Sequence, residues 1–192
     1  MKQFSVFLII LMLCGCSTSP EPRQQIYLLN SNAPLSSSAD EDVKRIIVVD
    51  KIQLADYLER PNLVMQIDGN QLYYSDIDLW AESLQTDIHK TLLAWLNDYA
   101  KDTQFVAYDS PQASAKFEHL IVSIEHFMPT DKGSVVSDGQ YWLVGNKQLE
   151  SLSSQHTFAF TSALTQKGYS HSVTHMAKQI AQLSAQIVED VE

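Results

Sequence analysis

The sequence has very little cysteine. Among its 192 residues only Cys14 and Cys16 carry thiols, and both stand at the end of an apolar run near the amino terminus. The remainder of the chain therefore offers no disulfide, no thiol nucleophile and no cysteine metal ligand. A disulfide between the two cysteines themselves is disfavoured, because a pair only two residues apart closes a strained ring.

Glycine and positive charge are also scarce. Six glycines leave little scope for a glycine-rich phosphate loop, and no such motif occurs. Thirteen lysines and arginines face 23 aspartates and glutamates, for a formal net charge of -10. An acidic chain has no electrostatic reason to bind nucleic acid, so no nucleic-acid partner is predicted. An anionic lipid surface would repel it, so any contact with a membrane needs another cause.

Catalytic motifs are missing as well. No G-x-S-x-G nucleophile elbow is present. Among the six histidines, His171 and His175 have a spacing that can bind a metal on a helix, but no third ligand is evident. His119 and His126 are seven residues apart on one predicted strand, which would place them on opposite faces. The sequence thus predicts no enzyme, no catalytic residue, no metal site and no cofactor.

The amino terminus has the pattern of a secretory signal. Lys2 is followed by an almost wholly apolar run from Phe4 to Leu13, and small residues come next. The run is too short to cross a bilayer, which takes ~20 residues. The alternative, a buried helix of a cytosolic protein, is disfavoured because the run is terminal and the polar stretch 17–22 follows it. Residues 1–15 are predicted to be a signal peptide.

The segment Leu13-Cys14-Gly15-Cys16 resembles a bacterial lipobox. This resemblance implies that Cys16 becomes the acylated first residue of the processed protein, while Cys14 leaves with the signal. Acyl chains on Cys16 would hold the protein on a membrane, at ~0.8 kcal/mol per buried CH2. Ser17 after the anchor resembles the sorting pattern for the outer membrane. Residues 16–25 are predicted to be a linker reaching at most ~35 Å.

Residues 26–192 are predicted to form a single periplasmic domain of class α/β. Alternating or β-branched runs bounded by turn residues indicate about seven strands, with Asp68-Gly69 as a hairpin turn. The last three strands, 117–127, 134–144 and about 149–163, are expected to form an antiparallel meander. Residues 104–108, which follow a helix, suggest a parallel crossover.

Two long amphipathic helices are predicted, about 78–101 and 170–188. Their stripes recur at helical spacing, with Asp76 or Asp78 as a cap for the first. The first stripe comprises Trp80, Leu84, Ile88, Leu92, Trp95 and Tyr99, and the second comprises Val173, Met176, Ile180, Leu183 and Ile187. We expect a mixed, largely antiparallel sheet packed with these two helices, both on one face.

One segment is more specific than any of these patterns. Residues 46–96 contain the β-run Ile46 to Val49, then Tyr57-Leu58-Glu59-Arg60-Pro61, and later Trp80-Ala81-Glu82. This order resembles the ABC-type transport auxiliary lipoprotein family, also called the PqiC or YmbA family. Ala55, Glu59, Leu79 and Ser83 replace the residues usual in the family pattern. Together with the lipobox, the resemblance spans nearly the whole chain.

The resemblance implies a non-enzymatic, outer-membrane-anchored lipoprotein facing the periplasm. Such a protein would work with an MCE-domain periplasmic protein and its inner-membrane partner in lipid transport, and is compatible with self-association. Five residues, Tyr57, Leu58, Arg60, Pro61 and Trp80, are interpreted as a shared structural or interface element. Arg60 is expected to pair with a carboxylate, either of the same domain or of a neighbouring subunit.

Two other functions stay open on the sequence. A lipoprotein that binds lipid or a small ligand and carries it as cargo would need an apolar cavity between helices and sheet. A core filled by Trp80, Trp95, Phe158 and Phe160 would argue against such a cavity. An envelope hydrolase would need a convergent acid–base cluster, which the sequence does not show.

Overall fold

The computed structural model describes residues 23–34, 43–114, 116–145 and 155–192. Cys16, the signal and most of the predicted linker lie outside these residues. The strands are β1 Gln25–Tyr27, β2 Arg45–Val49, β3 Gln53–Leu54, β4 Asn62–Ile67, β5 Gln71–Trp80, β6 Thr103–Ala107, β7 Glu118–Thr130, β8 Ser134–Val144 and β9 Gln155–Ala163; the helices are α1 Leu84–Tyr99 and α2 Tyr169–Val191. Short 3₁₀ turns occupy Leu29–Asn32 and Asp56–Leu58.

The nine strands form one mixed sheet, which confirms the predicted α/β class. β7 is its longest strand and pairs on one edge with β2, β3 and β4 in turn, all parallel, through its residues 118–120, 123–124 and 130. Its other edge pairs with β8 in an antiparallel ladder, and β9 continues that ladder. The predicted meander is confirmed, although its third strand begins at Gln155, and the stretch 149–154 lies outside the described residues.

Six of the strands follow the order β1-β5-β4-β7-β2-β6, so β1 and β6 stand at the two ends of this path. β6 lies parallel to β2. β4, β7, β2 and β6 all run in the same direction. β5 is antiparallel to β4, so β5 and β6 run in opposite directions. The predicted parallel crossover between the strand before α1 and the strand after it is therefore wrong.

The hairpin between β4 and β5 follows its prediction. Asp68 and Gly69 both have positive φ, 49° and 81°, as a type I′ turn requires. The ladder then breaks, because Asn62 pairs with Leu79 whereas Val64 pairs with Tyr74. β5 thus carries extra residues opposite Leu63, and this bulge lets the strand extend to Trp80.

The first helix begins later than predicted. Trp80 is the last residue of β5, where its backbone N–H donates to the carbonyl of Pro61 at 2.8 Å, and α1 begins at Leu84. The cap is Ser83, whose hydroxyl accepts from the N–H of Thr86, and neither Asp76 nor Asp78 has this role. Trp80 points into the core from a strand, and its four-residue spacing from Leu84 coincided with a helical period.

The two helices pack against each other and share one core with the sheet. The buried face of α1 consists of Leu84, Ile88, Leu92 and Leu96, and that of α2 contains Val173, Met176, Ile180, Leu183 and Ile187. Ile47, Val49 and Leu120 meet these faces from the sheet. The predicted α2 stripe is confirmed in full, whereas Trp95 and Tyr99 lie beside the buried face of α1 and remain partly exposed.

Candidate functional site

The five residues singled out by the sequence lie together at one end of the β4–β5 hairpin. Tyr57 and Leu58 belong to the 3₁₀ turn after β3, Arg60 and Pro61 directly precede β4, and Trp80 ends β5. The 2.8 Å backbone hydrogen bond from Trp80 to Pro61 joins the two parts of the pattern. Proline also restricts Arg60 to an extended conformation, which aligns the loop with the strand that follows.

Two of the five residues belong to the core. Leu58 is 2% exposed and Trp80 is 7% exposed. The residue after Trp80, Ala81, donates its backbone N–H to the carbonyl of Tyr27 at 2.8 Å, which holds β1 against the end of β5. Leu58 and Trp80 therefore contribute their side chains to the core of the domain.

Tyr57 links three segments of the fold. Its hydroxyl donates to the backbone carbonyl of Glu125 in β7 at 2.6 Å, and its own carbonyl accepts from the hydroxyl of Tyr74 in β5 at 3.2 Å. Burial raises the pKa of Tyr57 to about 12, and the negative charges of Asp138 and Glu125 act in the same direction. A phenol with such a pKa stays protonated at neutral pH and acts as a hydrogen-bond donor.

In the described part of its own domain, Arg60 has no carboxylate partner. Its guanidinium lies over the ring of Tyr74, 4.6 Å from the ring centre. Among residues 23–34, 43–114, 116–145 and 155–192 it forms no ion pair. The side chain is exposed, as are those of its neighbours Glu59 and Pro61. Tyr74 thus positions a cation that is accessible at the surface.

A polar cluster near this element has no counterpart in the sequence predictions. Asp78 is 7% exposed and accepts hydrogen bonds from the hydroxyls of Ser75 at 2.6 Å and Tyr27 at 2.9 Å. Asn62 donates to the carbonyl of Ser75 across the bulge at 2.8 Å. These contacts stabilise the irregular part of β5. The sequence pattern did not predict these contacts because it assigned Asp78 to the start of a helix. The signal available in the sequence was a serine three residues before that aspartate.

Five of the six histidines contact an aspartate or each other. His119, His126 and His156 contact Asp50, Asp138 and Asp190 at 2.8–2.9 Å. The register of β7 shifts between Ile124 and His126, which removes the strict alternation that predicted opposite faces for His119 and His126. The rings of His171 and His175 meet with centres 4.6 Å apart. Within the described part of the chain, no three potential ligands converge to hold a metal ion.

Of the four aromatic residues whose burial would argue against a cargo cavity, two are buried. Trp80 and Phe158 are buried, whereas Trp95 and Phe160 are partly exposed. Phe160 stacks on Phe158 with ring centres 5.8 Å apart. None of the helices in the described ranges has the length and apolarity needed to cross a bilayer. The element thus combines side chains buried in the core, Leu58 and Trp80, with one exposed cation, Arg60.

Comparison with known proteins agrees with this description. A family model for the ABC-type transport auxiliary lipoprotein component matches residues 27–188. Two curated relatives, one from Escherichia coli (strain K12) and one from Shigella flexneri, are each named intermembrane transport lipoprotein PqiC. Each is 27% identical over 192 residues, which cover 100% of this chain and 98% of the relative.

Two crystal structures share the fold. That of an uncharacterized protein has a TM-score of 0.74 and 24% identity, and covers 89% of this chain and 100% of its own. A protein from Xanthomonas campestris has a TM-score of 0.63 and 12% identity, with coverage of 87% and 90%. At these identities the similarity establishes the architecture of strands and helices.

Proposed function

This chain belongs to the ABC-type transport auxiliary lipoprotein family, and from that premise we propose that it is a docking module of an envelope system that transports lipid. The observation that carries the proposal is its alignment, over its full length, with proteins named intermembrane transport lipoprotein. The proposed partners are an MCE-domain periplasmic protein and the inner-membrane protein that works with it. The described residues present a structural element and no convergent catalytic cluster, which supports docking over hydrolysis.

The proposed anchor is a set of acyl chains on Cys16, with signal peptide 1–15 removed and the domain held on the periplasmic side of the outer membrane. The described part of the chain enters β1 at Gln25, and β1 stands at one end of the strand order. Nine steps from Cys16 to Gln25, the first residue of β1, span at most ~32 Å at ~3.6 Å each. The β1 edge of the domain would therefore remain close to the bilayer.

The β1 edge also has the character of a docking surface. Within the described ranges β1 pairs only with β5, so its outer edge can accept a further strand. Ile26 in β1 is 67% exposed and the adjacent Leu28 is 41% exposed. We place the contact with a second copy or with the periplasmic partner here, where an apolar edge and the anchor coincide.

The anchor can be tested with its own matched control. Cys16→Ser should release the protein from the membrane fraction, and mass spectrometry should show loss of an acylated amino terminus. Cys14→Ser should change neither result, because Cys14 is proposed to leave with the signal. Retention of the Cys16→Ser protein in membranes, or an unmodified amino terminus in the parent, would contradict the anchor.

The docking role requires a separate experiment. After crosslinking in membranes, the tagged full-length chain should recover an MCE-domain protein, and Ile26→Asp should reduce this recovery at least fivefold. Val144→Asp is the control, because Val144 is also exposed, at 39%, but lies at the end of β8. A parent chain that recovers neither an MCE-domain protein nor its own copies would refute docking. Equal loss in both variants would refute the β1 surface.

A further inference from the structure

A groove of about 380 Å³ lies between α1 and α2, beside the 3₁₀ turn Leu29–Asn32. The turn packs against both helices. The backbone N–H of Leu29 donates to the carboxylate of Asp87 in α1 at 2.6 Å, and Leu29 is 1% exposed. The wall that this turn contributes is therefore fixed in place, so the groove is preformed.

Small side chains give the groove its shape. Ala33, Ala177 and Ala181 line it, and the last two are four residues apart in α2. Positions i and i+4 lie on one helix face about one turn apart, so the open space runs along the axis of α2. Trp95 provides an apolar wall from α1, and its ring stacks on that of Tyr99 with centres 5.4 Å apart.

One lining residue is charged. Lys178 is exposed, and in the described part of the chain it forms no ion pair. Although the protein as a whole has a net charge of -10, Lys178 places one positive charge at the edge of this apolar groove. The groove is therefore complementary to a ligand with an extended apolar chain and one anionic head.

We propose that this groove binds the acyl chain of a long-chain fatty acid, with the carboxylate paired to Lys178. Its volume is near the lower limit of small-molecule sites, ~300–1,000 Å³, which favours one acyl chain over a two-chain phospholipid with its head group. The single cation likewise matches a single negative charge. This site is independent of the docking role, because it lies between the helices and does not include β1.

The proposal is tested by photolabelling the full-length chain in isolated membranes with a diazirine analogue of palmitate. The protein is then purified and the labelled residues are mapped by mass spectrometry. Label should appear on residues of α1 and α2 that line the groove. Ala181→Phe, which fills the groove, should lower labelling at least tenfold. Ala185→Phe is the matched control, because Ala185 is exposed on the same helix and does not line the groove.

Lys178→Gln supplies a second test at an exposed position where folding is not at risk. It should weaken labelling about tenfold, whereas Lys132→Gln, at another exposed lysine, should leave it unchanged. Unlabelled palmitate should displace the probe, and hexadecanol, which has the same chain and no charge, should do so at least tenfold less well. Labelling that is scattered over the surface, or equal in Ala181→Phe and Ala185→Phe, would overturn the site. Equal displacement by palmitate, hexadecanol or a zwitterionic lysophospholipid would overturn the assignment of a fatty acid.

Discussion

The hydroxyl of Tyr57 donates a 2.6 Å hydrogen bond to the backbone carbonyl of Glu125, across 68 residues of sequence. This bond holds the loop before β4 against β7 at the register shift between Ile124 and His126. The loop carries the exposed Arg60, so the position of that cation depends on a contact with a distant strand.

Tyr57→Phe should lower the free energy of unfolding by about 1 kcal/mol, because one intramolecular hydrogen bond is lost while the ring still packs. Urea denaturation at pH 7 measures the change. Tyr73→Phe is the control, since Tyr73 is 50% exposed and should tolerate the change. Equal stability of Tyr57→Phe and the parent would show that the bond contributes nothing net.

The same phenol predicts a loss of stability at high pH. Its pKa is about 12 in the folded protein, against 10.0 for the unperturbed group. As pH rises above 10.0, the unfolded chain loses this proton first, so the contribution to stability declines until pH passes about 12. In Tyr57→Phe the decline in this range should be shallower than in the parent. A parallel decline in both proteins would contradict the assignment.

Gly139 should not tolerate a side chain. A Cβ there would lie 2.1 Å from the backbone oxygen of Ser123, at the point where β8 pairs with β7 beside its register shift. Gly139→Ala should therefore destabilise the fold by about 1–3 kcal/mol, since a backbone atom cannot move aside as a side chain can. Gly145→Ala should be nearly neutral, because nothing lies within 4 Å of its Cβ. Thermal melting of the two variants distinguishes them.

Tyr141 holds the end of α2 against the sheet. It is 2% exposed, its hydroxyl donates to the carboxylate of Asp190, and it accepts from Gln186 at 3.2 Å. His156 stacks on its ring and contacts the same carboxylate at 2.9 Å. Tyr141→Phe should cost about 1.5–3 kcal/mol, as expected for a hydrogen bond to a charged group.

The loss in Tyr141→Phe should also have a defined location. Hydrogen exchange should accelerate mainly in the last two turns of α2, with less change in its first turns. Tyr99→Phe, at a residue 37% exposed in α1, should leave exchange in α2 unchanged. A uniform acceleration of exchange over the whole of α2 would mean that the contact stabilises the entire helix and not specifically its last turns.

His175 should titrate below its ordinary pKa of 6.5. Burial has the largest effect, and the neighbouring His171 and Lys178 add to it. The unfolded chain therefore takes up this proton at a higher pH than the folded protein, so stability falls as pH drops through 6.5 towards the lower folded pKa. His171→Ala should raise the pKa of His175 in an NMR titration. The substitution removes a side chain that shields His175 from solvent, and it removes a like charge. His119→Ala, on β7, should leave the pKa of His175 unchanged.

Some of these features could be predicted from the sequence because their signals are local. Asp68-Gly69 specified the hairpin turn through the φ values that such a pair adopts. The α2 stripe was identified because all of its members belong to one element. Trp80 was misassigned because its spacing from Leu84 satisfies a helical period although a cap residue, Ser83, separates the two elements.

The remaining features depend on contacts between distant segments. Arg60 lies over Tyr74, and no local pattern distinguishes an aromatic partner from a carboxylate. β6 pairs with β2 and not with the strand before α1, and no local pattern in the sequence specifies this long-range pairing. The groove beside Lys178 arises from alanines in two separate segments, each unremarkable by itself.

The arrangement along β7 has a consequence for the order in which the chain can fold. β2, β3 and β4 all dock on one edge of a strand whose residues are synthesised after them, at 118–130. Until that strand exists, β2, β3 and β4 lack the partner that joins them into one sheet, and such long-range pairing is intrinsically slow. The sheet can therefore close only after residues 118–130, well past the middle of the chain, have been synthesised.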